Sequence, residues 1–256
     1  SEVCHQRSDG TRHVRRVGAD GEEVAAKAAV HLPVGQDGHQ LTLAQRVLRR
    51  KIGQQGNACT GQCSFAQGLA VIGRDAETRE WLTWTHAWAH PSVLGRRKDV
   101  ASRLQDFARD GDLTMVKHIG DDVAEVASIC ALVESRGLLD KIGCDPAGLG
   151  GIIDALAEAE LPEEKIIGIS QGWKLTGAIK TAERKLAEGV LVHGGQALMA
   201  WCCGNAKVEP RGNAVIITKQ AAGSAKIDPL MALFNAVTLM SLNPDSGAIT
   251  QGFIEL

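Results

Sequence analysis

Residues 113–146 read LTMVKHIGDDVAEVASICALVESRGLLDKIGCDP. Leu113–His118 is strand-like. From Asp122 to Arg136 apolar residues recur at helical spacing, at Val123, Val126, Ile129, Leu132 and Val133. A second apolar strand then ends at Cys144 or Asp145, where Pro146 breaks it. Strand, helix, strand is the alternation of an α/β sheet with helices on its faces.

The same grammar extends both ways. Upstream, LAVIG (69–73), a polar turn and EWLTWTHAW (80–88) make a hairpin, followed by an amphipathic helix over Val100–Ala108. Downstream, a helix over Leu149–Leu161 closes at Pro162. Lys165–Ile169 reads as a buried strand and Leu175–Glu188 as an amphipathic helix stopped by Gly189. Short strands follow at Val190–Val192 and Asn213–Thr218, and a helix over Pro229–Met240 ends the pattern. The expected fold class is α/β, a mixed sheet flanked by helices.

Composition narrows the function classes. With 256 residues, 44% hydrophobic, the chain can bury a sizeable core. Its formal net charge of -2 means that any nucleic-acid surface must be a local basic patch. Seven cysteines without framework spacing predict free thiols in a reducing compartment. No stretch reads as a signal peptide or a membrane span. Residues 1–66 differ from the rest: they are rich in Arg, His and Gly, and no Phe, Trp or Tyr precedes Phe65. We expect a poorly defined or disordered leader over 1–66, with one short basic helix at Leu41–Lys51, and a folded domain over 67–256.

Two acids stand where chemistry gathers. In open α/β sheets ligands collect at the carboxyl ends of strands, and Asp145 marks such an end in IGCDPAGLGG. Asp228 precedes Pro229 in KIDPLMALFNAVTLM (226–240). Each also fits a helix N-cap, since a capping carboxylate accepts bonds from free N–H groups and Pro suits the first helical position. A fixed carboxylate can equally hold a hard cation such as Mg2+. Two such ions about 4 Å apart clamp the attacking and leaving oxygens of a phosphodiester. That chemistry wants two or three convergent acids, and these residues supply two. Cys59 and Cys63 lack a second pair, Cys202–Cys203 suits no zinc site, and there is no P-loop or G-x-S-x-G elbow.

Five short motifs occur in order: Asp145-Pro146; Gln171-Gly172-Trp173; His193-Gly194-Gly195; a helix with Trp201 ending at Asn205; and Lys226-Ile227-Asp228 before the last helix. In this order they resemble the C-terminal nuclease domain of tailed-phage terminase large subunits, from about Leu69 to Met240. The resemblance implies an RNase H-like fold. It implies a metal-dependent endonuclease that cuts concatemeric double-stranded DNA during genome packaging, in the cytoplasm of a bacterial host. Asp145 and Asp228 would be the second and third acids of a triad holding Mg2+ or Mn2+, with Lys226 near the scissile phosphate. Partners implied are double-stranded DNA, the phage portal and the small terminase subunit, with no membrane. A homo-oligomer is expected only together with an ATPase domain.

Two departures temper the resemblance. The family's leading acid lies on the first strand, about ten residues before LAVIG. Here that stretch is GNACTGQCSFAQ, and Asn57, Cys59, Gln62 and Ser64 stand by position with no carboxylate among them. Residues 1–66 also resemble no P-loop ATPase domain. A frameshift or a decayed prophage gene would account for both. A catalytically dead DNA-binding or assembly module of the same fold is the alternative. A resolvase or transposase relative is the third, and the HGG and Gln-Gly-Trp segments argue against it.

Overall fold

The computed structural model describes the backbone of residues 5–6, 12–13 and 56–63, and residues 66–146, 150–219 and 226–244. The chain divides into two units, residues 1–40 and 41–256. In the first, β1 (His5–Gln6) pairs antiparallel with β2 (Arg12–His13). The expected helix at Leu41–Lys51 lies outside the described residues.

The second unit is built on one mixed sheet. β3 (Gly56–Cys63), β4 (Ala66–Arg74) and β5 (Trp81–Ala89) are antiparallel neighbours. β6 (Leu113–Met115) and β7 (Leu139–Cys144) run parallel to β5 and β3, and β8 (Ile166–Gly168) runs parallel to β7. The strand order is β6-β5-β4-β3-β7-β8, and β9 (Leu191–His193) also joins β5. β3 is therefore a central strand, and the sheet begins upstream of the 66/67 boundary that composition suggests. Composition misses it because GNACTGQC has almost no large apolar residue, and a strand flanked on both sides can be held by its ladder bonds alone.

Helices cover both faces. α1 (Ser92–Arg96), α2 (Ala101–Arg109), α5 (Thr176–Ala187), α6 (Ala197–Asn205) and α7 (Asp228–Met240) share one core. α3 (Asp121–Ser135) and α4 (Gly150–Glu158) build the other with Leu69, Val71 and Ile142. α7 is buried on nearly all sides, as a helix apolar all round must be. Among the described residues no helix is long and apolar enough to cross a membrane.

Most elements fall where the periodicity puts them. Three do not. β8 is an edge strand with Ile167 partly exposed, so the buried strand expected at Lys165–Ile169 is corrected. Strand structure after Leu113 stops at Met115. The Asn213–Thr218 strand appears as β11 (Ala214–Lys219) but pairs only with β10 (Ala206–Arg211), as a hairpin separate from the main sheet.

Candidate active site

Gly68 explains where Asp228 sits. A Cβ built on Gly68 would lie 2.8 Å from the Asp228 carbonyl carbon and 2.9 Å from the Pro229 nitrogen. The start of α7 thus rests directly on the β4 backbone, and only glycine permits that approach. Asp228 is the first helical residue and Ile227 the N-cap, with no side-chain capping bond. The N-cap expectation for Asp228 is therefore corrected. Its carboxylate is buried, 5% exposed, and Oδ2 has no hydrogen-bond partner. A buried carboxylate oxygen without a partner is costly unless something fills the place.

What surrounds it is specific. The Lys226 Nζ stands 4.0 Å from Asp228 Oδ2. The Lys226 carbonyl accepts a 3.1 Å bond from the Asn205 side-chain amide at the end of α6. Cys202, also on α6, is fully buried, and burial first, then the Asp228 charge, push its thiol pKa up. Thus α6 holds the strand entering α7 and lines the carboxylate with a group that stays neutral.

Asp145 stands at the end of β7, half-buried. Sheet register relates it to Asp228. Thr60 on β3 pairs with Cys144 on β7, so position 61 is level with Asp145. Gly61 pairs in turn with Gly68 on β4, beneath Asp228. Asp145, position 61 and Gly68 therefore form one row across three strands. At about 4.8 Å per strand the two acids' supports are about 10 Å apart. Ile142 and Cys144 pack in the α3/α4 core, so alternation puts Asp145 on the opposite face, which α7 covers. Both acids thus share one face at one end of the sheet, at the carboxyl ends of β3 and β7.

The central strand offers no third carboxylate in this row. Asn57, Cys59 and Gly61 of β3 are paired in register with Ile72, Ala70 and Gly68. Among the described residues no group of three His, Cys, Asp or Glu converges as a metal cage. Two acids, one with a buried oxygen that no hydrogen bond satisfies, still suit Mg2+, which binds through one or two carboxylates and keeps waters and phosphate oxygens for the rest.

The other motif residues hold the scaffold. The Gln171 side-chain amide donates to the Ile169 carbonyl (2.8 Å) and to Asn235 Oδ1 on α7 (3.0 Å). His193 is exposed and accepts a 3.1 Å bond from the Gly195 N–H, the turn role its glycines suggest. Trp201 packs against Phe107, ring centroids 5.6 Å apart. Gly68, Cys202, Gln196 and Asn235 escape sequence reading. Gly68 left one usable sign, a glycine inside an apolar strand.

A family model for the terminase large subunit endonuclease domain matches residues 97–243. The chain belongs to that family. Among solved structures, the large terminase of bacteriophage HK97 aligns at 18% identity with a TM-score of 0.62, over 73% of this chain. The chain spans 39% of that terminase. The large terminase nuclease of thermophilic phage G20c aligns at 13% identity, TM-score 0.43, over 72% of this chain and 80% of that one. A second G20c nuclease structure, with bound magnesium, aligns at 14% identity, TM-score 0.43, over 72% and 81%. No curated protein matches. The fold of this terminase nuclease domain is RNase H-like.

Proposed function

We propose that this terminase nuclease domain cuts concatemeric double-stranded DNA through a divalent-ion site centred on Asp145 and Asp228, with Lys226 beside the scissile phosphate. The observation that carries the reading is the buried Asp228 Oδ2, which has no hydrogen-bond partner beside its long ion pair with Lys226 and stands, by the Gly68 contact, at the same sheet end as Asp145. Mg2+ or Mn2+, when bound, would neutralise phosphate charge and lower the pKa of water. The protein's own contribution is placement. Asp228 cannot swing, because its backbone is clamped between Gly68 and α6. Lys226 is mostly buried with its ammonium beside Asp228, which supplies a cation for a phosphate oxygen. Asp145 at the strand rim completes the row. Portal and small-subunit partners, a bacterial host cytoplasm and assembly through an ATPase domain belong to the same reading.

With no acid in the β3 row, we expect slow cutting. Plasmid cleavage with Mn2+ and with EDTA, by this chain and its Asp228→Ala variant, tests it. Weak, EDTA-sensitive cutting that the variant lacks supports the proposal. Strong cutting unaffected by the variant refutes it. The second reading, a DNA-binding module without hydrolysis, is favoured by the same missing carboxylate. It predicts salt-sensitive DNA binding by both proteins and cutting by neither.

A further inference from the structure

We propose that Trp173, together with Lys174, is a stacking platform for an unpaired base of the DNA strand held at this site. The inference rests on the DNA reading above but concerns other residues and a different contact.

Trp173 is 64% exposed, while Trp81 and Trp88 are buried and Trp84 and Trp201 half-buried. Large aromatic rings normally bury their faces. This one is displayed on a turn pinned from both sides. Before it, Gln171 is tied to Ile169 and to Asn235 of α7. Gly172 takes a left-handed φ of +69°, which turns the chain outward. After it, the Thr176 hydroxyl lies 2.7 Å from the Trp173 carbonyl. The Thr176 hydroxyl oxygen also accepts the Val215 N–H of β11 at 3.0 Å. An exposed ring on a pinned backbone loses little entropy when something stacks on it.

Its position suits a strand leaving the active site. The turn follows β8, which runs parallel to β7, so it lies at the Asp145 end of the sheet. Asn235, its anchor, is seven residues along α7 from Asp228, about 10 Å. The chemistry also fits. The Lys174 ammonium is 5.9 Å from the Trp173 ring centroid. The hairpin that Thr176 holds against the turn carries Lys207, Arg211 and Lys219, with Glu209 pairing with the first two at 3.3 and 3.8 Å, so its balance is still positive. An aromatic face for a base, flanked by cations for phosphates, is how proteins grip single strands without reading sequence.

The test is binding in EDTA, so that no cutting intervenes. Probes are a blunt duplex and the same duplex with a single-stranded overhang, titrated with this chain, Trp173→Ala and Trp173→Phe. Stacking predicts tighter binding of the overhang probe and quenching of the exposed-tryptophan emission by it. It predicts about a tenfold loss on that probe for Trp173→Ala, a blunt-duplex affinity within twofold of the parent, and recovery in Trp173→Phe. Equal affinity of parent and Trp173→Ala for the overhang, or an equal loss on both probes, overturns it. So does a parent chain that binds neither probe. Because binding is read in EDTA, a failure of the metal site would show as absent Mn2+ cleavage by the parent chain and leave this result standing.

Discussion

Asp228 and Gly68 act as one unit. The helix start can approach β4 only because residue 68 has no side chain, and the approach holds the carboxylate in a buried place. Gly68→Ala forces two backbone atoms apart. We expect a loss of about 1–3 kcal/mol in stability, read as a lower urea midpoint, along with loss of whatever metal affinity the parent has. His86 makes a second residue-scale prediction. It sits between Trp84 and Trp88, with Nε2 2.9 Å from the Thr114 hydroxyl and Nδ1 unpartnered. Burial pushes its pKa down to about 4. The unfolded imidazole takes its proton near pH 6.5, so the unfolded state binds more protons between the two values. Stability is then full above pH 6.5 and falls as pH drops toward 4, by about 3 kcal/mol. Urea midpoints measured across that window should show the slope, and His86→Gln should flatten it.

Among the elements, the turn leading into α6 shows what short motifs do. The conspicuous residue of HGGQ is His193, yet Gln196 makes the contacts. Its Oε1 accepts the Thr85 N–H (3.1 Å) and hydroxyl (2.9 Å). Its Nε2 donates to the Thr85 carbonyl (2.8 Å) and to Asp112 Oδ1 (3.1 Å), while Asp112 Oδ2 accepts the Leu198 N–H at the start of α6. Gln196→Ala strands a buried carboxylate and a buried hydroxyl, so we expect a loss of about 2–3 kcal/mol with an unchanged denaturant m-value. None of this was legible in the sequence. A glutamine carries no periodicity, and its partners lie 84 and 111 residues away. The amphipathic helices and the β4–β5 hairpin were legible, because apolar spacing records which face is buried. β3 was not, since its place comes from its neighbours and not from its own side chains.

For the whole molecule, Asp145, Lys226 and Asp228 can be read in order along the chain, but that Asp145 and Asp228 fall on one face at one end of the sheet cannot. It depends on register: β7 parallel to β3, β3 antiparallel to β4, and α7 laid on Gly68. The same register shows what the site lacks. Position 61 is level with Gly68, where the α7 backbone already sits. Position 59 pairs with Ala70 and Gly143, both small. The family resemblance points to this stretch for its leading acid, where Asn57, Cys59, Gln62 and Ser64 stand by position; Cys59, with two small paired neighbours, is the one we take for the test.

Restoring that acid is the most direct measurement. Mn2+-dependent plasmid nicking should be followed for this chain, for Cys59→Asp, and for Cys59→Asp combined with Asp228→Asn, each with an EDTA control and a check of folding by circular dichroism. The account predicts slow cutting by the parent and at least a tenfold gain in Cys59→Asp. It predicts that EDTA abolishes the gain and that the Asp228→Asn combination loses it. A folded Cys59→Asp chain that binds DNA and cuts no faster than the parent, or a gain that survives Asp228→Asn, would contradict the placement of the site.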